Sequence, residues 1–361
     1  MDGTKVVPII PTWVTFPEDE WMSITPAEAG LDVEKWEHFL AERDVKGATF
    51  GGEDHTANKW GTVFTRGGYI VHTWGNRNYK FQTASLGKAF VWVIFGFAVD
   101  EALLDPDEPI HKIWTGEGQL SHRHKHLNRG HHKNLTWRHL LGSQHASEHY
   151  GGFPIERGSQ WLKDGAEYST TGPNPQIPAW ANWTGEPWYD NYSHVEPGTV
   201  AHYSSGGYWR LAQALTFLWH RDLKTILDEK LFSKIGIPAD RWDWPTGRTI
   251  KDNKYLYPAL PDAYTYLDAP YEIDGQVVRS GPGWVVMEAS DIARFGHLLA
   301  TGGNWKGEQL IAPQWLRRHG GGNGSLVSGE SQYYTAMGRV TTQGIDHPLP
   351  EDLFTGPVQV G

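Results

Sequence analysis

Eleven consecutive residues, Ala89-Phe90-Val91-Trp92-Val93-Ile94-Phe95-Gly96-Phe97-Ala98-Val99, form a strongly apolar run that reads as a helix. Immediately before it stands Ser85-Leu86-Gly87-Lys88. Residues three apart share one face of a helix, so the hydroxyl of Ser85 and the amine of Lys88 can meet. The N-terminal end of a helix carries partial positive charge, which favours an alkoxide or oxyanion forming there. A serine hydroxyl is a weak nucleophile until a neighbouring base takes its proton. A lysine in a poorly solvated pocket can be neutral enough to act as that base. Ser-x-x-Lys by itself also describes many solvated helix starts, so the motif counts only in its structural context.

The chain is 361 residues long, enough to bury a substantial core in one or two domains. Its formal charge of -10 gives no footprint for nucleic acid. No apolar run reaches the eighteen or so residues needed to span a bilayer, and no basic-then-apolar leader is visible. The absence of cysteine excludes disulfides, thiol catalysis and cysteine-zinc sites. The chain holds nineteen tryptophans, fifteen tyrosines and thirteen phenylalanines, many of them between 160 and 270. Trp161, Trp180, Trp183, Trp188 and Tyr189 fall among Pro, Gly, Asn and Thr, which read as long loops. Most such aromatics are expected to pin the fold by burying flat surfaces, and some to line a substrate pocket.

Local patterns place the remaining elements. Thr25-Pro26-Ala27-Glu28 predicts a helix with a threonine cap, carrying Leu31, Val33, Trp36, Phe39 and Leu40 inward. Thr62–Thr65 and Tyr69–Trp74 alternate around Arg66-Gly67-Gly68, a hairpin signature. Helices are predicted at about 85–101, 206–219, 224–232 and 289–301, with Leu211, Leu215 and Leu218 forming a stripe on the second. Asp274-Gly275 predicts a turn leading into a strand from Gln276 to Arg279.

Five segments in order resemble the serine beta-lactamase and penicillin-binding-protein superfamily, particularly its esterase and class C beta-lactamase-like branch. Thr83–Lys88 is similar to the family's nucleophile motif, and Val99–Ile110 to the stretch that follows its helix. Leu135–Ser147 resembles its threonine-arginine-histidine-leucine-leucine helix, and Pro197–Tyr208 its second motif, Tyr-x-Asn followed by Gly-Tyr. Gly281-Pro282-Gly283-Trp284 with Ala289–Gly296 resembles its glycine pair and Ser-Asp-x-Ala-Arg-Phe helix. The resemblance spans residues 25 to 316. It implies an α+β, beta-lactamase/transpeptidase-like fold in which an antiparallel sheet is flanked by helices. The sheet domain would be assembled from 1–84 and 260–361, with a mainly helical region, 85–259, inserted between them and the site at the junction.

The same resemblance implies a serine hydrolase that forms an acyl-enzyme on Ser85, with Lys88 as base and Tyr203 as proton shuttle. A carboxylesterase is expected; amide, D-peptide or beta-lactam hydrolysis by the same mechanism, or a non-catalytic ligand-binding relative, are the alternatives. Ser205 stands where the family generally has asparagine. Its hydroxyl can orient Lys88 or a substrate carbonyl but lacks the amide's simultaneous donor and acceptor. Trp284, Thr355 and Gly356 are further candidates for touching substrate. The family's third motif, Lys-Thr-Gly or His-x-Gly on a late strand, has no clear match. His319-Gly320-Gly321-Gly322 comes too early, and Phe354-Thr355-Gly356 lacks the basic residue. The expectation is therefore either a piece of a longer chain lacking C-terminal strands or a remodelled end. Family resemblance slightly favours a periplasmic or secreted location.

His122, His124, His126, His131 and His132 lie among Arg123, Lys125 and Arg129 with no nearby carboxylate, and read as a basic loop rather than a metal site. His145 and His149 are expected to serve the fold. No cofactor and no metal are expected, and the partner is a small ester or amide.

Overall fold

The structure, a computed structural model, describes residues 9–42, 60–83, 86–114, 134, 136–141, 167–169, 172–173, 205–253, 267, 270–312, 334–335, 338–339 and 351–360. The expected roles of Ser85 and Tyr203, the histidines His122, His124, His126, His131, His132, His145 and His149, the loop aromatics Trp161, Trp180, Trp183, Trp188 and Tyr189, and His319 to Gly322 fall outside the described residues.

In chain order the elements that position the site begin with helix α1 (Val33–Glu42), the hairpin β1 (Gly61–Arg66) and β2 (Tyr69–Gly75), and strand β3 (Phe81–Gln82). Helix α2 (Gly87–Asp100) is followed by two short helices, α3 (His111–Trp114) and α4 (Trp137–Leu141). Strands β4 (Glu167–Ser169) and β5 (Gly172–Pro173) pair with each other before helices α5 (Ser205–Trp219), α6 (Leu223–Lys230) and α7 (Gly247–Asn253). Strands β6 (Glu272–Ile273), β7 (Gln276–Val277) and β8 (Val286–Met287) lead into helix α8 (Ala289–Ala300). The strands of the described residues pair two by two and antiparallel, with helices packed around them, so the class is α+β.

Helix α2 is the centre of the molecule. A helix apolar all round must be enclosed, and each residue from Ala89 to Phe95 is 1% exposed or less. Phe90 alone meets the rings of Phe232 and Phe295 at 5.2 Å and those of Trp242 and Trp244 at 6.2 and 6.4 Å. The stripe of α5 packs on the same core: Leu211 and Leu215 are buried, and Leu218 is partly so. Trp92, Trp137, Trp209, Trp242, Trp244 and Trp305 are buried in this core too, which is the fold-pinning role expected of most tryptophans.

The hairpin forms as its pattern predicts. Gly67 and Gly68 take φ of 59° and 91°, the pair of positive values that a two-residue turn matched to strand twist requires. The Asp274-Gly275 turn does the same between β6 and β7 at 52° and 76°.

The predicted start at Thr25 needs correction. Thr25 and Glu28 form a reciprocal capping box, Thr25 N–H to Glu28 Oε2 at 2.7 Å and Glu28 N–H to Thr25 Oγ1 at 3.2 Å. The turn it opens ends after a few residues at Gly30, whose φ is 67°. Helix α1 starts afresh behind Asp32, whose Oδ1 accepts from Lys35 N–H at 3.1 Å. The restart rotates the apolar face, so Trp36 is enclosed while Val33 is 40% exposed. Trp36 joins Ile24, Ala29, Leu31, Val71, Leu353 and Val358 in a second, smaller cluster that closes the two ends of the chain on the hairpin.

Helix α8 carries the Ser-Asp-x-Ala-Arg-Phe motif, and its polar residues act as struts. Arg294 is 1% exposed and spreads its guanidinium over four main-chain carbonyls: Pro17 at 3.3 Å, Ile235 at 3.1 Å, Glu18 at 2.6 Å and Asp19 at 2.8 Å. Asp291 accepts both arms of Arg241 at 2.6 and 2.8 Å. Burial pushes its carboxyl up, against the pull of that guanidinium. Ser290 offers its carbonyl to the Trp21 indole N–H at 3.0 Å. The motif therefore ties residues 17–21 and 235–241 to one helix.

Candidate active site

The strand that leads to the Ser-x-x-Lys motif is zipped to the strand that follows the glycine pair. Phe81 pairs with Met287 and Gln82 with Val286. Thr83 then donates both its N–H, at 2.8 Å, and its Oγ1, at 2.9 Å, to the carbonyl of Val285. Val286 also exchanges main-chain hydrogen bonds with Asp243 at 2.8 and 3.0 Å. Segments about two hundred positions apart in sequence are thus held side by side at the start of α2.

The loop between them crosses the first turn of α2 in direct backbone contact. A methyl group placed on Gly87 would sit 2.6 Å from the Gly283 Cα, so this approach requires glycine at 87. One placed on Gly281 would overlap the Tyr208 carbonyl oxygen on α5. Trp284 follows with φ of 64°, a left-handed conformation rare for so bulky a residue, and is 7% exposed.

This loop receives Lys88. The amine, on a side chain 5% exposed, donates to the Pro282 carbonyl at 2.7 Å across 194 positions of sequence. The ring of Tyr208 lies beneath it, with the Nζ 5.8 Å from the ring centroid. The phenol of Tyr208 is turned to another task and donates to the Leu141 carbonyl of α4 at 2.9 Å. Leu86, directly before the helix, already has helical φ and ψ of -61° and -28°, and its N–H reaches the Thr83 carbonyl at 3.1 Å. The described residues on either side of position 85 are therefore fixed, one to Val285 and the other to the helix.

Two of the family-like segments are joined at α4. Arg138 grips Asp107 with two bonds of 2.7 Å, and its N–H donates to the Pro106 carbonyl at 2.9 Å. Thr136 bridges Pro109.

Of the sequence-predicted site residues, Lys88 and Trp284 stand on the same turn-to-helix junction. Ser205 opens α5, the helix whose Tyr208 underlies Lys88. Thr355 and Gly356 are engaged elsewhere. Thr355 gives its N–H and Oγ1 to the Gly30 carbonyl at 2.8 and 3.1 Å, and the Gly356 carbonyl accepts from Arg66 Nη2 at 2.7 Å. A methyl on Gly30 would lie 2.5 Å from that same carbonyl oxygen. These contacts belong to the small terminal cluster, where they fasten the end of the chain to its beginning. The Pro282 carbonyl and the Tyr208 ring were not assigned from sequence; the glycine pair and the Gly-Tyr of the second motif were the signals that carried them. Among the described residues no group of three His, Asp or Glu could hold a metal ion.

An α+β fold with a buried lysine on the first turn of a buried helix agrees with the beta-lactamase/transpeptidase-like class. The beta-lactamase family model matches residues 57–338. The chain belongs to the beta-lactamase family, whose fold carries serine hydrolases. No curated protein matches it. Among solved structures it is similar to a proposed 6-aminohexanoate-dimer hydrolase from Bacillus anthracis, with 15% identity, a TM-score of 0.45, and coverage of 85% of this chain and 68% of that one. It is similar also to an octameric penicillin-binding protein homologue from Pyrococcus abyssi, at 15% identity and TM-score 0.46, covering 80% and 59%. A D-amino acid amidase from Ochrobactrum anthropi SV3 matches at 16% identity and TM-score 0.37, covering 68% and 64%. The chain spans less than two thirds of the length of the last two.

Proposed function

We propose that the chain hydrolyses carboxylic esters through an acyl-enzyme on Ser85. The observation that carries this reading is Lys88, three positions after Ser85, with its side chain buried and its amine bonded to the Pro282 carbonyl. Burial disfavours the ammonium and so favours the neutral amine that a general base must be. In the proposed cycle Lys88 takes the Ser85 proton as the serine oxygen attacks the substrate carbonyl. The Ser85 N–H supplies one donor to the resulting oxyanion. Tyr203 relays the proton to the leaving alcohol, and water then releases the acid. Tyr208 is not the relay we choose, since its hydroxyl is committed to Leu141. Ser205 orients Lys88 or the substrate carbonyl, and Trp284 flanks the same junction.

The preference for esters rests on Ser205. A hydroxyl at that position cannot donate and accept with two arms as asparagine does, which weakens the case for beta-lactam turnover more than for ester hydrolysis. The zipper of β3 on β8 supports the reading of a discontinuous sheet unit, 1–84 with 260–361, around the helical region 85–259.

Intact mass after treatment with a fluorophosphonate tests the mechanism. A single adduct that disappears in Ser85→Ala is expected, together with turnover of small aryl esters. Turnover that persists in Ser85→Ala sinks the acyl-enzyme. Ligand binding without adduct or turnover in the folded chain identifies a non-catalytic relative instead.

A further inference from the structure

We propose that Tyr208 is a positioning residue that sets both the place and the proton affinity of Lys88; this rests on the reading of Lys88 as the base. Tyr208 is 6% exposed and joins three pieces of the site at once. Its ring lies 5.8 Å from the Lys88 Nζ, within the range of cation–π attraction. Its hydroxyl donates to the Leu141 carbonyl at 2.9 Å, which ties the enclosed ring to α4 as well. Its own carbonyl lies against Gly281, in the loop whose Pro282 carbonyl accepts from Lys88. The face of an aromatic ring is negative, so it favours the ammonium over the neutral amine. Burial acts in the opposite sense. The ring therefore keeps the proton affinity of Lys88 from falling so far that the lysine could not take the serine proton.

The other charged groups of the surrounding elements have partners of their own. On α5, Arg210 donates to Gln213 at 2.9 Å; ahead of the loop, Arg279 grips Asp222 at 2.6 and 2.9 Å. Arg138, on α4, is paired with Asp107. Glu288, after β8, feels Asp291, Arg241, Lys80 and Glu20, and Asp100 stands at the far end of α2. Tyr203, assigned by family resemblance, is a further titratable group of the proposed site.

The test is the pH dependence of fluorophosphonate labelling at Ser85, in the full chain with tyrosine, phenylalanine or 3,4,5-trifluorophenylalanine at position 208, and in Lys88→Ala. Phenylalanine keeps the ring's negative face and loses only the bond to Leu141. Its acidic limb is expected where that of the unmodified protein lies, with a lower melting temperature. Trifluorophenylalanine keeps the ring's shape but drains its face of charge. Lys88 then loses its proton more easily, and the limb moves to lower pH by about half to one unit. Tyr208→Leu moves it the same way if it folds, and the fluorinated variant decides the matter if it does not. A limb that stays put between phenylalanine and trifluorophenylalanine, while labelling is abolished in Lys88→Ala, overturns the role of Tyr208 alone. Labelling that survives unchanged in Lys88→Ala overturns the assignment of the base, and the tuning with it.

Discussion

Two of the buried cations among the described residues, Arg294 and Lys88, sit on helices and, under the proposed mechanism, do opposite work. Arg294 on α8 spreads its fork over the carbonyls of Pro17, Glu18, Asp19 and Ile235. Lys88 on α2 donates to the Pro282 carbonyl above the ring of Tyr208. Both side chains are enclosed, at 1% and 5% exposure. The difference lies in the groups themselves. A guanidinium keeps its proton under any condition a protein meets and presents several fixed donors, which suits a strut. An amine can lose its proton when desolvated, which suits a base. Burial alone does not mark a functional charge; what sets Lys88 apart from Arg294, under the proposed mechanism, is that an amine can change its protonation.

Removing each cation should separate these roles. Arg294→Ala strips donors from the carbonyls of Pro17 and Ile235, which are buried, and of Glu18 and Asp19, and should cost about 3–5 kcal/mol, seen as a lower urea midpoint. Residual folded protein should keep its activity per molecule. Lys88→Met should reverse the pattern. An apolar chain of similar length fills the space but removes the donor to the buried Pro282 carbonyl, so stability should fall by about 1–3 kcal/mol, less than for Arg294→Ala. Ester turnover should fall about 10²- to 10⁴-fold, the range lost with a general base. Equal losses of stability from the two substitutions would erase the distinction.

Gly281→Ala sharpens the Lys88 side. Its methyl meets the Tyr208 carbonyl, a backbone atom that cannot step aside. The loop must shift, at about 1–3 kcal/mol by the usual cost of overpacking. Because the Pro282 carbonyl moves with it, kcat should fall more than KM rises. Thr355→Val is the contrasting substitution. It removes the Oγ1 bond to Gly30 and should cost about 1 kcal/mol with turnover unaltered. A drop in turnover would return Thr355 to the pocket wall.

Much of this was legible in the sequence where the cause is local. Gly67 and Gly68 announced their turn because only a local φ requirement places two glycines between alternating strands. The apolar run from Ala89 to Val99 announced α2, and the leucines of α5 its buried face. The Thr25–Glu28 box was legible too, but not where it would lead. Gly30 ends the turn because its backbone meets Gly356, a contact set 326 positions away. The acceptor of Lys88 was beyond reach for the same reason: any carbonyl can accept, and tertiary packing alone decides which one lies at 2.7 Å. Thr355 and Gly356 were singled out by residue type, whereas their role follows from neighbours on α1's approach and β1.

The last contrast is between the two cations and a group on α8 that is held neutral. His297 donates Nε2–H to the Thr15 carbonyl at 2.7 Å and is ringed by Phe16 at 5.2 Å, Trp305 at 5.7 Å and Trp21 at 6.4 Å. Burial among these rings pushes its proton affinity below the ordinary imidazole value, although the Thr15 carbonyl pulls the other way. As pH falls through the ordinary value, about 6.5, the unfolded chain takes up the proton first. The folded state is then disfavoured, increasingly so until the native imidazole is protonated as well. Above that value His297 contributes no pH dependence. His297→Gln retains a donor for Thr15 and cannot titrate. Urea midpoints measured between pH 8 and 5 should therefore fall less steeply in the variant than in the unmodified chain, with the two curves parallel above about pH 7. Parallel curves throughout would mean that His297 takes up its proton as readily in the folded protein as in the unfolded chain, and that the aromatic enclosure around it is open.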